Sequence, residues 1–562
     1  MKNPSPPHRS SGPSRRRFVG GAAASAASAA VAAIVGSGQS RAQPVQPQPT
    51  DTTHPQLPTV FAYGYDVEPY PLDPGPHLFL DWRYVLPGRT RYFAPSGEGT
   101  NSSAEGLHGR VTTDQIKVLG DQSPYGVRLE AQPASKLGPV IPNDKPWEYS
   151  LCYPTLGYFD GKYRMWYEVI TPRERGAADI LCYAESSDGV TWHKPELGLV
   201  EFDGNTRNNI VYDEKLAGRS FHGVGVCYDP SAPPQQRYKM IYNSQVSAEE
   251  VAQLKAQSPA SITPLGQAKR LLIFCAASPD GLRWTPLPQP LMAQMSDTGT
   301  TLYYDQVLRR YVGYFRMSFM NRRVIGRSEG PSLDVPWPAP QAVLWTDPGE
   351  PPSNDYYTNG KSLYPGTKTA HLMFPTIYQR FSDSSVVRMV TSLDGQMWML
   401  PPGDCDVLKQ GPEGSWDGGC VFAGNGLAEI AGDRVALPYI GYALPHKFPR
   451  LVRCGEVGLA TWPKHRLCAL VADEEGEFYT QPFRVNGETL RLNFHARRNG
   501  FVKVEVVGKP GRSLDDCDDL FGDRLGATVT WRGQSSIGAG TGGSVTLRFR
   551  LRSAKLFSFE FV

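Results

Sequence analysis

Helical periodicity is almost missing from this chain of 562 residues. Beyond residue 57 the only stretch with an amphipathic helical spacing runs from about Ala248 to Ala256, which excludes a helical bundle and a regular β-α alternation. Cysteine is sparse, nine residues with no C-x-x-C pair and no Cys/His cluster at metal-ligand spacing, so neither a disulfide scaffold nor a zinc site is expected. Cys152, Cys182, Cys275 and Cys420 sit in apolar, strand-like runs and read as small buried hydrophobes. A membrane-length apolar run is also lacking: the Ala/Gly/Val stretch Gly20 to Gly36 is shorter and less apolar than the roughly 20 residues a span needs. Basic excess is confined to the first 42 residues, where Lys2, Arg9, Arg15, Arg16, Arg17 and Arg41 face no acid; removing them turns a formal +3 into −3. The remainder has no electrostatic footprint for nucleic acid.

What is present begins with Ser14-Arg15-Arg16-Arg17-Phe18-Val19, the apolar run, and Ser40-Arg41-Ala42 with small residues where a signal peptidase reads. Residues 1–42 read as a twin-arginine export signal, giving a periplasmic or secreted protein with no membrane partner after cleavage. Residues 43–57, rich in Pro, Gln and Thr, read as a solvated linker. About 520 residues remain, enough for one large core and one small one.

Short runs of aromatic and β-branched residues, broken by Gly, Pro, Asn and Asp, fill that remainder, and a turn recurs: Ser186-x-Asp188-Gly189-x-x-Trp192, Ser278-x-Asp280-Gly281-x-x-Trp284 and Ser392-x-Asp394-Gly395-x-x-Trp398. Gly supplies positive φ, Asp caps the turn and Trp anchors the returning strand. A decayed copy runs from Ser328 to Trp337. Upstream of each lies an aromatic strand: Arg164 to Glu168, Lys239 to Asn243, Val312 to Arg316, His371 to Pro375 and Val435 to Tyr439. Five such units in about 320 residues predict an all-β fold, a five-bladed β-propeller over 58–469 with an N-terminal closing segment, with blades at roughly 149–200, 219–290, 297–345, 353–405 and 416–468. From 470 to 562 the blade pattern stops, and strict alternation in Val545 to Leu551 and Phe557 to Phe561 predicts a C-terminal β-sandwich.

Innermost strands of a propeller point at one axis, so the segments opening the blades are the place to look for chemistry. They hold Trp147-Glu148, His222, Asp297, Asp355-Tyr356-Tyr357 and Trp416-Asp417, and the second strands end in Glu168, Asn243, Arg316 and Tyr439. Glycoside cleavage needs a protonated carboxyl and an ionised one, about 5–5.5 Å apart for retention or about 6.5–9.5 Å for inversion, and crowded carboxylates split their pKa values in that way. Glu148, Glu168, Asp297, Asp355 and Asp417 are therefore the candidate catalytic residues. Arg316, His222, Asn243 and Tyr439 are candidates for sugar hydroxyls, Arg316 and His222 also for a carboxylate substituent, and Trp147, Trp416, Tyr356 and Tyr357 for stacking. Against this stands the plainer role of an Asp that opens a strand, which is often a turn cap, and of a His hydrogen-bonded in a core. The run Asp515 to Asp519 reads as a solvated loop, with a calcium site as the lesser alternative.

Lys145-Pro146-Trp147-Glu148, Met165-Trp166-Tyr167, Ser296-Asp297-Thr298-Gly299, Leu372 to Pro375 and Ser415-Trp416-Asp417-Gly418-Gly419 resemble the five-bladed superfamily of invertases, levanases, arabinanases, β-xylosidases and mannoside phosphorylases, and more narrowly a group of exported bacterial invertase-like proteins. The resemblance covers about 78 to 562. It implies a propeller with a C-terminal module, a carbohydrate substrate and no cofactor. The invertase motifs Asn-Asp-Pro-Asn-Gly, Arg-Asp-Pro and Glu-Cys are absent; Tyr228-Asp229-Pro230 reads as a blade turn. Fold analogy thus outruns mechanism. Three readings follow: a glycoside hydrolase, a non-catalytic carbohydrate-binding propeller, and a polysaccharide lyase in which Arg316 binds a uronate and His222 or a Tyr takes the proton.

Overall fold

The three Ser-x-Asp-Gly-x-x-Trp segments form the same turn. In each, the Ser Oγ accepts the glycine N–H at 2.9 Å, and one Asp oxygen accepts the next two backbone N–H groups at 2.8–2.9 Å. Gly189, Gly281 and Gly395 have φ of 76°, 76° and 70°, a conformation costly for any residue with a Cβ. The computed structural model describes residues 69–87, 91–93, 99–101, 124–171, 179–346, 349–448 and 454–562; the expected leader and linker lie outside them. No helix among the described residues is long and apolar enough to cross a membrane.

These turns join strands of antiparallel sheets, and the described chain is nearly all β. The first sheet orders Ser150–Phe159, Lys162–Ile170, Ile180–Ser186 and Ile210–Asp213 from one side to the other. The second has His222–Tyr228, Tyr238–Gln245, Leu271–Ser278 and Thr285–Pro286, and the third Thr301–Asp305, Arg310–Phe319, Arg322–Gly330 and Gln341–Leu344. The fourth is split into two four-stranded ladders, with the break in its second strand between His371–Met373 and Thr376–Gln379. Pro375 lies in that gap and has no N–H to give the ladder. In the fifth, Cys420–Ala423, Arg434–Tyr442 and Glu456–Pro463 are completed by Ser135–Ile141, from before the first sheet. Each sheet packs on the next and the fifth packs on the first. The amphipathic stretch forms a helix, Ala248–Gln257, with a capping box of Ser247 and Glu250.

The first strands meet at a polar hub. Thr155 Oγ1 accepts the Val226 N–H, Asn425 Nδ2 donates to the Thr300 carbonyl at 3.0 Å, and the Thr301 hydroxyl lies against the amides of Asn359 and Asn425. A backbone bridge between Thr155 and Asn425 joins the two sets, so that residues from all five sheets are linked. The approach is so close that a Cβ on Gly225 would stand 1.8 Å from the Thr300 oxygen, and one on Gly223 (φ 73°) 2.4 Å from that of Thr298.

C-terminal strands Leu490–Val506, Leu547–Phe561, Cys468–Tyr479 and Gly522–Thr528 form a six-stranded sheet with Arg128–Ala131 and His77–Leu78. Tyr70–Pro71, Phe483–Arg484 and Ser544–Val545 form a three-stranded one. The N-terminal segment thus serves both parts of the molecule, and the two expected cores are not separate. One apolar cluster runs from Leu372, Phe374 and Leu437 through Trp462 to Phe494 and Phe549, and the Trp462 indole donates to the Gln132 carbonyl. Alternation holds over Leu547–Leu551 but lapses at Leu556 to Phe559, all buried, because both faces of that stretch are covered.

Candidate functional site

The first strands of the first and second sheets, Ser150–Phe159 and His222–Tyr228, run against each other beside the hub. Tyr153 stands there. It has φ 49°, where the first strand skips register between Cys152 and Thr155; such a bulge re-aims a side chain, and positive φ on a bulky residue marks a constrained site. Its ring meets His222 edge-on at 5.5 Å and closes on Gly299, whose Cβ would lie 3.1 Å from it. Burial raises the phenol's pKa well above its ordinary value, so Tyr153 is a neutral hydrogen-bonding group.

Beside it, Glu168 is fully buried, with Oε2 accepting the Val224 N–H at 2.9 Å and Oε1 2.6 Å from His222 Nδ1. Asp179 Oδ2 lies 3.1 Å from the same nitrogen. Burial alone would lower the imidazole's pKa, but the charges of Glu168 and Asp179 outweigh it and hold His222 well above its ordinary value. The donor atoms of these three residues lie within 4.8 Å of one another, the one such grouping of His, Cys, Asp and Glu among the described residues. Nδ1 and Oε1 stand closer than the roughly 3.3 Å that separates donors of a tetrahedral ion with bonds of about 2.0–2.2 Å. Both carboxylates thus face the Nδ1 side of the imidazole and favour its charged form.

Next in the circuit, residues 296–298 wrap Gly223 and carry Asp297, whose side chain is 40% exposed and in contact with the Nη1 of Arg316. Arg316 is 4% exposed, and neither its Nε nor its Nη1 makes a hydrogen bond. Its guanidinium and that of Arg323 stand 5.8 and 4.9 Å from the Tyr357 ring centre, and His446 Nε2 meets the Tyr357 hydroxyl at 3.1 Å.

Of the sequence candidates, the structure therefore brings together Glu168, His222, Asp297, Arg316 and Tyr357. The others have different places. Glu148 is buried in a cage of its own, taking Tyr167 OH at 2.7 Å, Lys194 Nζ at 2.7 Å and the N–H groups of Asp144 and Lys145. Tyr167 precedes Glu168 on one strand, so the pleat puts Glu148 on the opposite face. Trp147 donates to Asn209 at 2.9 Å beside it. Asp355 joins the group only indirectly: Arg323 and Arg380 both clamp it, at 2.6 Å each, and, against the effect of burial, hold its pKa below the usual carboxylate range. Tyr356, one residue on, is buried between the third and fourth sheets and cannot stack on a sugar. Asp417 is paired with Lys136 at 2.6 Å and with the Tyr439 hydroxyl at 3.1 Å, while Trp416 stacks on Tyr439 at 5.5 Å; these three lie on the flank of the fifth sheet. Asn243 uses its amide to bind the Leu272 and Gln294 carbonyls. In the C-terminal part, Asp516 takes Ser513 and Asp518 takes Thr530 and Gly533, which makes the acidic run a set of turn caps. A groove of about 650 Å³ between residues 128–136 and 402–410 is lined by charges that are already paired, among them Lys136 with Asp417 and Lys409 with Asp404.

No protein-family model matches the sequence, and no curated protein matches it. Solved structures do resemble it. An α-L-arabinofuranosidase catalytic domain from Coprinopsis cinerea is 12% identical over 59% of this chain and 97% of its own, with a TM-score of 0.38. A thermostable family-43 glycoside hydrolase is 12% identical over 55% of this chain and 88% of its own, with a TM-score of 0.38. An N-acetylgalactosamine deacetylase from F. plautii, in complex with blood group B trisaccharide, is 14% identical over 61% and 97%, with a TM-score of 0.39.

Tyr153, Asp179, Arg323, Arg380 and His446 escaped the sequence reading. Tyr153-Pro154 carried a signal, since a proline inside an aromatic strand has no N–H for the ladder and marks an edge or a bulge; Asp179 had only its place before Ile180.

Proposed function

We propose that the chain is an exported glycoside hydrolase, a five-bladed β-propeller with a C-terminal β-sandwich, acting on an oligo- or polysaccharide without a cofactor. One observation carries the reading: on adjoining segments, carboxylates stand in two different environments, Glu168 and Asp179 on His222 and the more exposed Asp297 on Arg316. Cleavage needs a proton for the leaving oxygen and a charged carboxylate across the sugar ring. His222 with Glu168 at 2.6 Å and Asp179 at 3.1 Å from its Nδ1 forms a proton-sharing cluster that would serve the first task. Asp297, solvent-accessible and beside a guanidinium, suits the second, as base or nucleophile. Tyr153 is placed to hydrogen-bond a sugar hydroxyl.

The ion pairing of Glu148, Asp355 and Asp417 leaves fewer open carboxylates than a five-member ring would, and this favours a sugar-binding propeller as the second reading. Release of reducing sugar from a panel of plant and algal polysaccharides separates the two. Release that disappears in Asp297→Asn supports hydrolysis. Binding of the same glycans without release, in the wild type, leaves the binding reading alone.

A further inference from the structure

Arg316 is the least explained charge of the candidate site. It is an arginine 4% exposed, its Nε and Nη1 form no hydrogen bond, and its one ion-pair partner among the described residues is Asp297, which is 40% open to solvent. A buried guanidinium is normally held by several acceptors at once. Arg316 instead has its backbone N–H on Ser296, the Tyr357 ring at 5.8 Å, and a carboxylate that reaches in from the solvent side. A second concentration of positive charge adjoins it. Arg323 and Arg380 share the single carboxylate of Asp355, and Arg323 packs on the same Tyr357 ring as Arg316. Two guanidiniums thus pack on one aromatic ring, and their carboxylate partners are Asp297 and an Asp355 already shared with Arg380.

We infer that this corner is a subsite for an acidic sugar, in which the carboxylate of a uronic acid unit takes Arg316 by its planar fork, with the buried Tyr357 ring packed behind the guanidinium. The guanidinium geometry matches a carboxylate with two parallel hydrogen bonds. An incoming uronate would also displace Asp297 from Arg316, turning a paired aspartate into a free one beside the substrate. The inference rests on the hydrolase reading for its context and narrows it to acidic glycans.

Titration calorimetry of the full chain with sodium galacturonate, galactose and galactose 6-sulfate tests it. Galacturonate should bind at least tenfold more tightly than galactose, and the difference should shrink as salt rises. Arg316→Lys should remove most of that preference, since an ammonium cannot reproduce the fork. If that variant does not fold, Asp297→Asn serves instead: it removes the competing carboxylate from the guanidinium and should raise the affinity for galacturonate relative to galactose, an effect that no purely structural role of Arg316 produces. Equal binding of galacturonate and galactose, or a preference untouched in both variants, overturns the subsite. Binding of galactose 6-sulfate as tight as that of galacturonate shows a general anion site and overturns the assignment to uronic acid. Hydrolysis of neutral glycans with no uronate preference defeats this inference and leaves the hydrolase reading standing; uronate preference with no sugar released from any glycan does the reverse.

Discussion

Arg316 and Asp297 join a buried cation to a carboxylate that is 40% exposed. Asp297 arrives on a connector pressed against Gly223, one residue from His222, while Arg316 comes from the second strand of the third sheet. Under the proposed function the aspartate acts on the sugar, and the arginine holds it until an acidic sugar takes its place.

Asp297→Asn should therefore lower turnover by roughly 10²–10⁴-fold, the usual loss when a proton-transfer group is removed, and by more if it is the nucleophile. Its thermal midpoint should stay close to the wild type, because the side chain is half-open and an amide keeps its shape. Asp188→Asn on the first blade turn is the control, with turnover within a few-fold of wild type. Equal behaviour of the two variants in both measurements would remove Asp297 from the chemistry.

The repeat was legible in the sequence because its turn depends on local chemistry: Ser, Asp and Gly satisfy each other within four residues, as Asp280 and Gly281 do. Aromatic second strands were legible for the same reason, each being a continuous run. The carboxylate ring was not. Its members were aligned by position before a strand, yet strand pleat and long-range partners decide where such a side chain points. Lys136 and Asp417 are 281 residues apart, and Lys194 and Glu148 are 46 apart; no local pattern announces either pair. Asp179 and His446 were missed because each lies in a connector that acquires meaning only when sheets from distant segments meet.

Asp188→Ala, Asp280→Ala and Asp394→Ala should each cost about 1 kcal/mol, the typical loss of a side-chain cap on two backbone N–H groups, with little change in turnover. Denaturant midpoints at constant slope measure this. The Asp188 contribution should also depend on pH. Backbone hydrogen bonds from Thr191 and Val190 depress its pKa to about 2, so its stabilisation is present above the ordinary carboxylate value and lost as pH falls toward 2. A loss that is the same at pH 2 and pH 6 would contradict the capping role.

His222 should show the opposite slope. Its folded pKa is raised well above the ordinary 6.5 because Glu168 and Asp179 outweigh burial; the neutral Tyr153 ring also faces it. Stabilisation by its charge is then full below about pH 6.5 and lost as pH rises through the folded value. The stability advantage of wild type over His222→Gln should accordingly be larger at pH 6 than at pH 9. An advantage that grows with pH would mean the imidazole is neutral in the folded protein.

Lys361 tilts the balance the other way in the same pH range, so neither residue can be read from the wild-type curve alone. It is 2% exposed, its ammonium stands 4.1 Å from the Tyr303 ring centre and 5.9 Å from that of Tyr314, and Nζ donates to the Ser362 carbonyl. Burial lowers its pKa to about 7, with Asp305 opposing and Arg327 adding to the shift, while His371 on the next strand is held well below its ordinary value by burial and by Lys361 itself. Between pH 7 and the ordinary lysine value near 10.5 the unfolded chain carries a proton that the folded one has released, so stability rises with pH across that window. Lys361→Met has no proton to release and should lack this rise. The stability of wild type relative to Lys361→Met should thus improve by roughly 1–3 kcal/mol from pH 7 to pH 9.5, since each pKa unit is worth about 1.4 kcal/mol. A difference that stays flat across the window would show that Lys361 keeps its charge in the folded protein, held by the tyrosine faces and the Ser362 carbonyl in place of water.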